Sequence, residues 1–141
     1  MIKFFDIFDE FISNFSVKDI TDFWYDDSLF IAQEFLEKFT DDDWDLLIKV
    51  IDDKPIFWKY RLAELLGNNN NFKEFEVLMK LVNTNDEQLF EISIDALRFF
   101  KNEEFKDILK NNFEIFNKIK NLYFKSDTVR KKIFDDFLDL I

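Results

Sequence analysis

The chain has 141 residues, 48% of them apolar and 21 of them Phe, with one Gly, one Pro, no Cys and no His. Without Cys or His there are no disulfides, Cys/His zinc sites, His general bases or hydroxyl–His–carboxylate triads, and so little Gly argues against tight hairpins and phosphate-cradling loops. Thirty acidic against 19 basic side chains leave a net charge of −11, which repels nucleic acid and anionic membranes and attracts a basic partner.

The length suits a single domain over 1–141, and a globule of this size buries about 68% of the surface its unfolded chain exposes. The start, MIKFFDIFDEF, is apolar but interrupted by Asp6, Asp9 and Glu10, so it does not read as a signal sequence. No apolar run approaches the roughly 18 residues of a membrane span. A soluble cytoplasmic protein is the expectation.

Helical patterning recurs from end to end. The first helices are expected over 3–14, 16–25 and 28–39. Thr40 then caps a helix over 41–52, with Asp41, Asp42 and Asp43 in the first turn where the dipole favours acids. Pro55 fits the first position of a helix over 55–66, Gly67 its C′ position, and Asn68 to Asn71 the loop that follows. A helix over 72–82 leads to one over 86–100, capped by Thr84 or Asn85. Its Leu89, Ser93, Ala96, Leu97 and Phe100 form one stripe. Asn102 caps a helix over 103–123, with a break expected near Asn111-Asn112, and Ser126 caps the last, over 127–140.

Two of these segments repeat. WDLLIKVI from Trp44 and FEVLMKLV from Phe75 keep their chemical class at all eight positions, at an offset of 31. WKYRLAELLG from Trp58 and LFEISIDALR from Leu89 follow at the same offset, and SLFIAQEFL from Ser28 fits at an offset of 30. Each hairpin leaves an apolar face that stacking on a neighbour would bury, the logic of a solenoid. The expected fold is all-α, a short α-solenoid of HEAT/armadillo-like hairpins with about eight or nine helices. An irregular helical bundle is the alternative. Trp44 and Trp58 fall in core registers.

Acidic clusters are the obvious candidates for chemistry. Asp41 to Asp43 and Glu103-Glu104 sit at helix starts, no EF-hand spacing is present, and the Gly of such a loop is missing. No catalytic residue, metal site or cofactor is therefore expected, and the protein is not read as an enzyme. One set of acids is less easily dismissed. The repeat superposes Glu34, Glu64 and Asp95, with Asp135 a further candidate, and Glu87, Glu91 and Asp95 recur at i, i+4 and i+8. This is either a solvated face or an acidic ladder awaiting a basic partner. Trp24 and Tyr25 lie beside Asp26 and Asp27, and Tyr60 sits off the apolar stripe. Exposed aromatics rimmed by acids suit an interface hot spot, although Trp24 suits a buried position equally. The basic stretch from Lys118 to Lys132, with Tyr123 and Phe124 within it, is opposed as a nucleic-acid patch by the overall charge.

WKYRLAELLG resembles the second helix of HEAT repeats, and FEISIDALRFF looks like the next such helix. The similarity covers roughly residues 41–100. The chain departs from the motif in lacking Pro in its first helices and in its heavy use of Phe. A small, acidic, Phe/Asn/Lys-rich chain of this pattern also resembles immunity proteins of bacterial toxin systems, including contact-dependent growth inhibition. That resemblance implies a cytoplasmic protein that neutralises one cognate toxin, a basic nuclease of the RNase or tRNase class; a monomer is the default expectation. Acidic occlusion of the active or substrate-binding site would be the means. The expected contacts are Glu34, Glu64, Glu87, Glu91, Asp95, Tyr60, Trp24, Tyr25, Asp26 and Asp27. A HEAT-like scaffold joining two other partners is the alternative. HEAT-like DNA glycosylases and chromophore lyases fit less well, since this chain is acidic and has neither His nor Cys.

Overall fold

A computed structural model describes residues 3–16, 24–68 and 71–141. Among them the chain is all-α, with nine α-helices and no strand. These are α1 (Phe4–Ser13), α2 (Leu29–Glu37), α3 (Asp41–Val50), α4 (Ile56–Leu65), α5 (Phe72–Val82), α6 (Glu87–Leu97), α7 (Glu103–Lys110), α8 (Phe113–Tyr123) and α9 (Thr128–Leu140). A π-helical turn, Trp24–Ser28, leads into α2, and a 3₁₀ turn, Ile51–Asp53, ends α3. Most of the helix expected over 16–25 falls on 17–23, outside the described residues. No helix of the described residues is long and apolar enough to cross a membrane.

The chain divides into two compact units, 1–65 and 66–141. In the first, α1 packs against α2, α3 and α4. Its Phe5, Phe8 and Ile12 recur at helical spacing and are buried. Phe8 meets Phe39 and Trp58 edge-on, and Phe39 meets Trp44 edge-on at 5.0 Å. Such edge contacts add to the area each ring buries. The Trp58 indole N–H donates to Asp9 Oδ1 at 2.9 Å, and Lys54 neutralises the same carboxylate at 2.7 Å. Core registers for Trp44 and Trp58 are thus as the repeat implied.

Asp43 ties α3 to α1. Thr40 and Asp43 form a reciprocal capping box, and the Phe5 N–H, which has no partner within its own helix, donates to Asp43 Oδ1 at 3.0 Å. Burial pushes this carboxyl up. The backbone N–H groups of Thr40 and Phe5, the Thr40 hydroxyl and the charge of Lys3 outweigh that and hold it below the ordinary carboxylate range.

In the second unit α6 packs against α5 and α9, and α9 against α8. Phe75, Phe100 and Phe105 form one cluster, with Phe75 and Phe105 stacked at 4.5 Å. The expected stripe of Leu89, Ser93, Ala96, Leu97 and Phe100 is buried throughout. Repeat-related positions share their burial: Trp44 with Phe75, Leu47 with Leu78, Leu62 with Ser93, and Leu66 with Leu97.

Most caps are as the sequence indicates, including Thr40, Asn102 and the break at Asn111-Asn112, where Asn112 caps α8. Two differ. Asp86, rather than Thr84 or Asn85, caps α6, while the Thr84 hydroxyl accepts from the Asp86 N–H. Asp127 caps α9, because the Ser126 hydroxyl turns back to donate to the Leu122 carbonyl. Pro55 sits one residue before α4, where its carbonyl accepts the first helical bond, from the Lys59 N–H.

Gly67 takes φ +102, and a Cβ there would stand 3.1 Å from the Ala96 carbonyl oxygen. That conformation is open to Gly and strained for any other residue. Gly67→Ala should cost about 1–3 kcal/mol, read as a lower urea midpoint at unchanged m-value.

Candidate functional site

The first unit holds a cluster that joins distant parts of its sequence. Along α4, Arg61 and Glu64 stand one turn apart, and Arg61 Nη1 donates to Glu64 Oε1 at 3.1 Å. Arg61 Nε donates to the Phe15 carbonyl at 2.8 Å. Its guanidinium lies over the rings of Trp24 (5.5 Å) and Tyr25 (6.0 Å), both supplied by the π-helical turn. The Tyr25 hydroxyl donates to Glu64 Oε2. Arg61 is buried, yet its charge is met by a carboxylate, a carbonyl and two aromatic faces. A π-helical turn is rare and recurs at functional sites.

Burial pushes the Glu64 carboxyl above its ordinary range, although Tyr25, Arg61 and the Trp24 side chain each pull it down. The Trp24 indole N–H is itself buried without a partner at hydrogen-bond geometry, and its pull on Glu64 is the smallest of these. Burial, and then the hydrogen bond to Glu64, push the Tyr25 phenol up to about 12. A phenol with a raised pKa contributes stability that is complete below its unfolded value of 10.0 and is lost as pH rises towards 12. Alkaline titration of phenolate absorbance should show a late component running up to about 12, which Tyr25→Phe should remove, while Tyr123, which its hydrogen bond to Asp135 also pushes up, should still titrate.

This cluster fixes the π-helical turn from which α2 begins. The opposite, outer face of α2 and of that turn carries Asp26, Asp27, Phe30, Ile31, Glu34 and Glu37, all exposed. Phe30 is 62% exposed, although Ala32 and Leu36 on the inner face already bury the helix. Among the described residues, Asp26, Asp27, Glu34 and Glu37 make no ion pair.

The ladder on α6 differs from its expectation. Glu91 pairs with Arg130 of α9 at 2.8 Å, Glu87 with Lys125 at 3.2 Å and Arg130 at 3.7 Å, and Asp95 with Arg98 at 2.7 Å. Arg98 also reaches Asp136 of α9 at 2.6 Å. Asp135 accepts from the Tyr123 hydroxyl. Glu87, Glu91 and Asp95 therefore form a charged seam within the second unit, each already holding a cation of the same chain. Two other expected contacts are corrected as well. Trp24 is fully buried, and Tyr60 is buried edge-on to Phe57, so neither offers a surface to a partner.

Of the expected contact residues, Trp24, Tyr25 and Glu64 are brought together, Asp26, Asp27 and Glu34 share the neighbouring outer face, and Glu87, Glu91 and Asp95 lie in the other unit. The sequence reading missed Arg61, Phe30 and Ile31. Arg61 had a signal, a cation followed by Leu62 and Ala63 with an acid three residues on. Phe30 and Ile31 had none, since apolar residues populate both faces of this helix.

Charge separates the units. Residues 1–65 carry 16 acidic and 7 basic side chains, net −9, and residues 66–141 carry 14 and 12, net −2. No group of three or more acids among the described residues is arranged to hold a metal ion. No protein-family model, curated protein or solved structure matches the chain.

Proposed function

We propose that the protein is a cytoplasmic immunity protein that binds and neutralises a cognate toxin domain, a basic nuclease, by occluding its active or substrate-binding site with acidic surface. The observation that carries this reading is the unequal charge. Nearly all of the excess acid lies in the first unit, where the outer face of α2 presents carboxylates without ion-pair partners beside exposed Phe30 and Ile31. A nuclease that holds a polyanion in a basic groove presents the complementary field. Opposite fields raise association rates by about 10–10³-fold and do so less as salt rises. The HEAT-like sequence pattern and the kinship in composition with immunity proteins point the same way.

Co-expression with the nuclease toxin domain that the proposal requires, sought in the neighbouring reading frame, tests the proposal. Cells making both should grow, and cells making the toxin alone should not. Equal killing in both cultures would remove the reading.

A further inference from the structure

The outer face of α2 combines two features that rarely coincide without a reason. It is apolar at its centre, with Phe30 62% and Ile31 39% exposed, and acidic at both ends, with Asp26-Asp27 before and Glu34 and Glu37 after. At 100° per residue from Leu29 on, Glu34 lies between Phe30 and Ile31 on the helical wheel, and Asp27 precedes them in the π-helical turn. Exposed aromatics scattered singly need no account, whereas an apolar pair bracketed by unpaired carboxylates has the composition of an interface core and rim.

We infer that this face is the anchor of the interface, and that it takes a basic amphipathic helix of the partner: an aliphatic stripe seated on Phe30 and Ile31, with Lys or Arg on either side of it meeting Asp27 and Glu34. The charge complementarity carries the choice of occupant, because an exposed apolar pair with carboxylates before and after it meets an aliphatic stripe flanked by Lys or Arg. The Tyr25–Glu64–Arg61 cluster acts as a positioning group. It holds the π-helical turn to α4, so the face is set before a partner arrives and less ordering is left for binding to impose. The inference rests on the proposed function for the partner's basic character, but it can be tested without the toxin.

Two labelled peptides of equal positive charge serve as probes, a helix-forming Lys/Leu peptide with one aliphatic stripe and an oligolysine, titrated against the full chain by fluorescence anisotropy. The Lys/Leu peptide should bind about tenfold or more tighter than oligolysine, the effect of one well-buried anchor. Phe30→Ser with Ile31→Ser should erase that advantage and leave oligolysine binding unchanged. Asp27→Lys with Glu34→Lys should weaken both peptides. Phe124→Ser, at the most exposed aromatic of the second unit, should leave the ratio as it was. Equal binding of the two peptides, no binding of either, or a ratio insensitive to Phe30 and Ile31 would overturn the inference. Failure here with protection retained in co-expression removes the anchor and keeps the immunity reading. The reverse pattern keeps the surface and removes the toxin.

Discussion

Arg61→Met is expected to destabilise the protein by about 3–5 kcal/mol, the range for breaking a buried ion pair from one side. The substitution strands the Glu64 carboxylate with Tyr25 as its one hydrogen-bond donor among the described residues, removes the donor to the Phe15 carbonyl, and takes the cation from over two aromatic rings. Glu64→Leu added to Arg61→Met should recover a large part of the loss, since two apolar groups of similar volume leave no unpaired charge. Urea unfolding of the two single variants and the double variant gives the coupling. Arg130→Met in the charged seam offers the contrast. Its side chain and that of Glu91 are each more than a fifth exposed, so solvent screens the pair and the cost should stay near 1 kcal/mol. Equal losses at Arg61 and Arg130 would mean that the first cluster is no more than a surface pair.

The second large effect concerns association. Asp26→Lys, Asp27→Lys and Glu34→Lys together take the first unit from −9 to −3. These side chains make no ion pair among the described residues, so folding should be little changed. Association with the proposed toxin partner at low salt should slow by about 10–10³-fold, and the dependence of that rate on ionic strength should flatten. Reversing Glu87, Glu91 and Asp95 makes the same change in charge but breaks the ion pairs to Arg130, Lys125 and Arg98. Its main result should be a lower unfolding midpoint. Stopped-flow mixing over a series of salt concentrations separates the two sets.

The fold was largely readable because its signals are local. Thr40, Asn102 and Gly67 mark helix ends through their own backbone chemistry, and the stripe from Leu89 to Phe100 follows from helical spacing alone. The Trp44–Phe75 register also survived, because residues that fill equivalent core positions must match in kind. The candidate site was half readable for the opposite reason. Glu87, Glu91 and Asp95 were correctly placed on one face of α6, but only the packing of α9 shows that Arg130 already occupies that face. Carboxylate spacing records where charge lies and not whether it is already paired. Trp24 and Tyr60 carried the composition of hot spots, and their burial depends on contacts remote in sequence. Phe30 was invisible because an exposed and a buried Phe look alike among 21 of them.

The central claim is that an acidic first unit binds and silences a basic nuclease. It is tested most directly by titrating the purified cognate toxin domain with this chain while following cleavage of its nucleic-acid substrate. Activity should fall linearly to zero at one equivalent at low salt, and the variant reversed at Asp26, Asp27 and Glu34 should need a large excess. A toxin domain that keeps its full activity in the presence of excess unmodified chain would contradict the account.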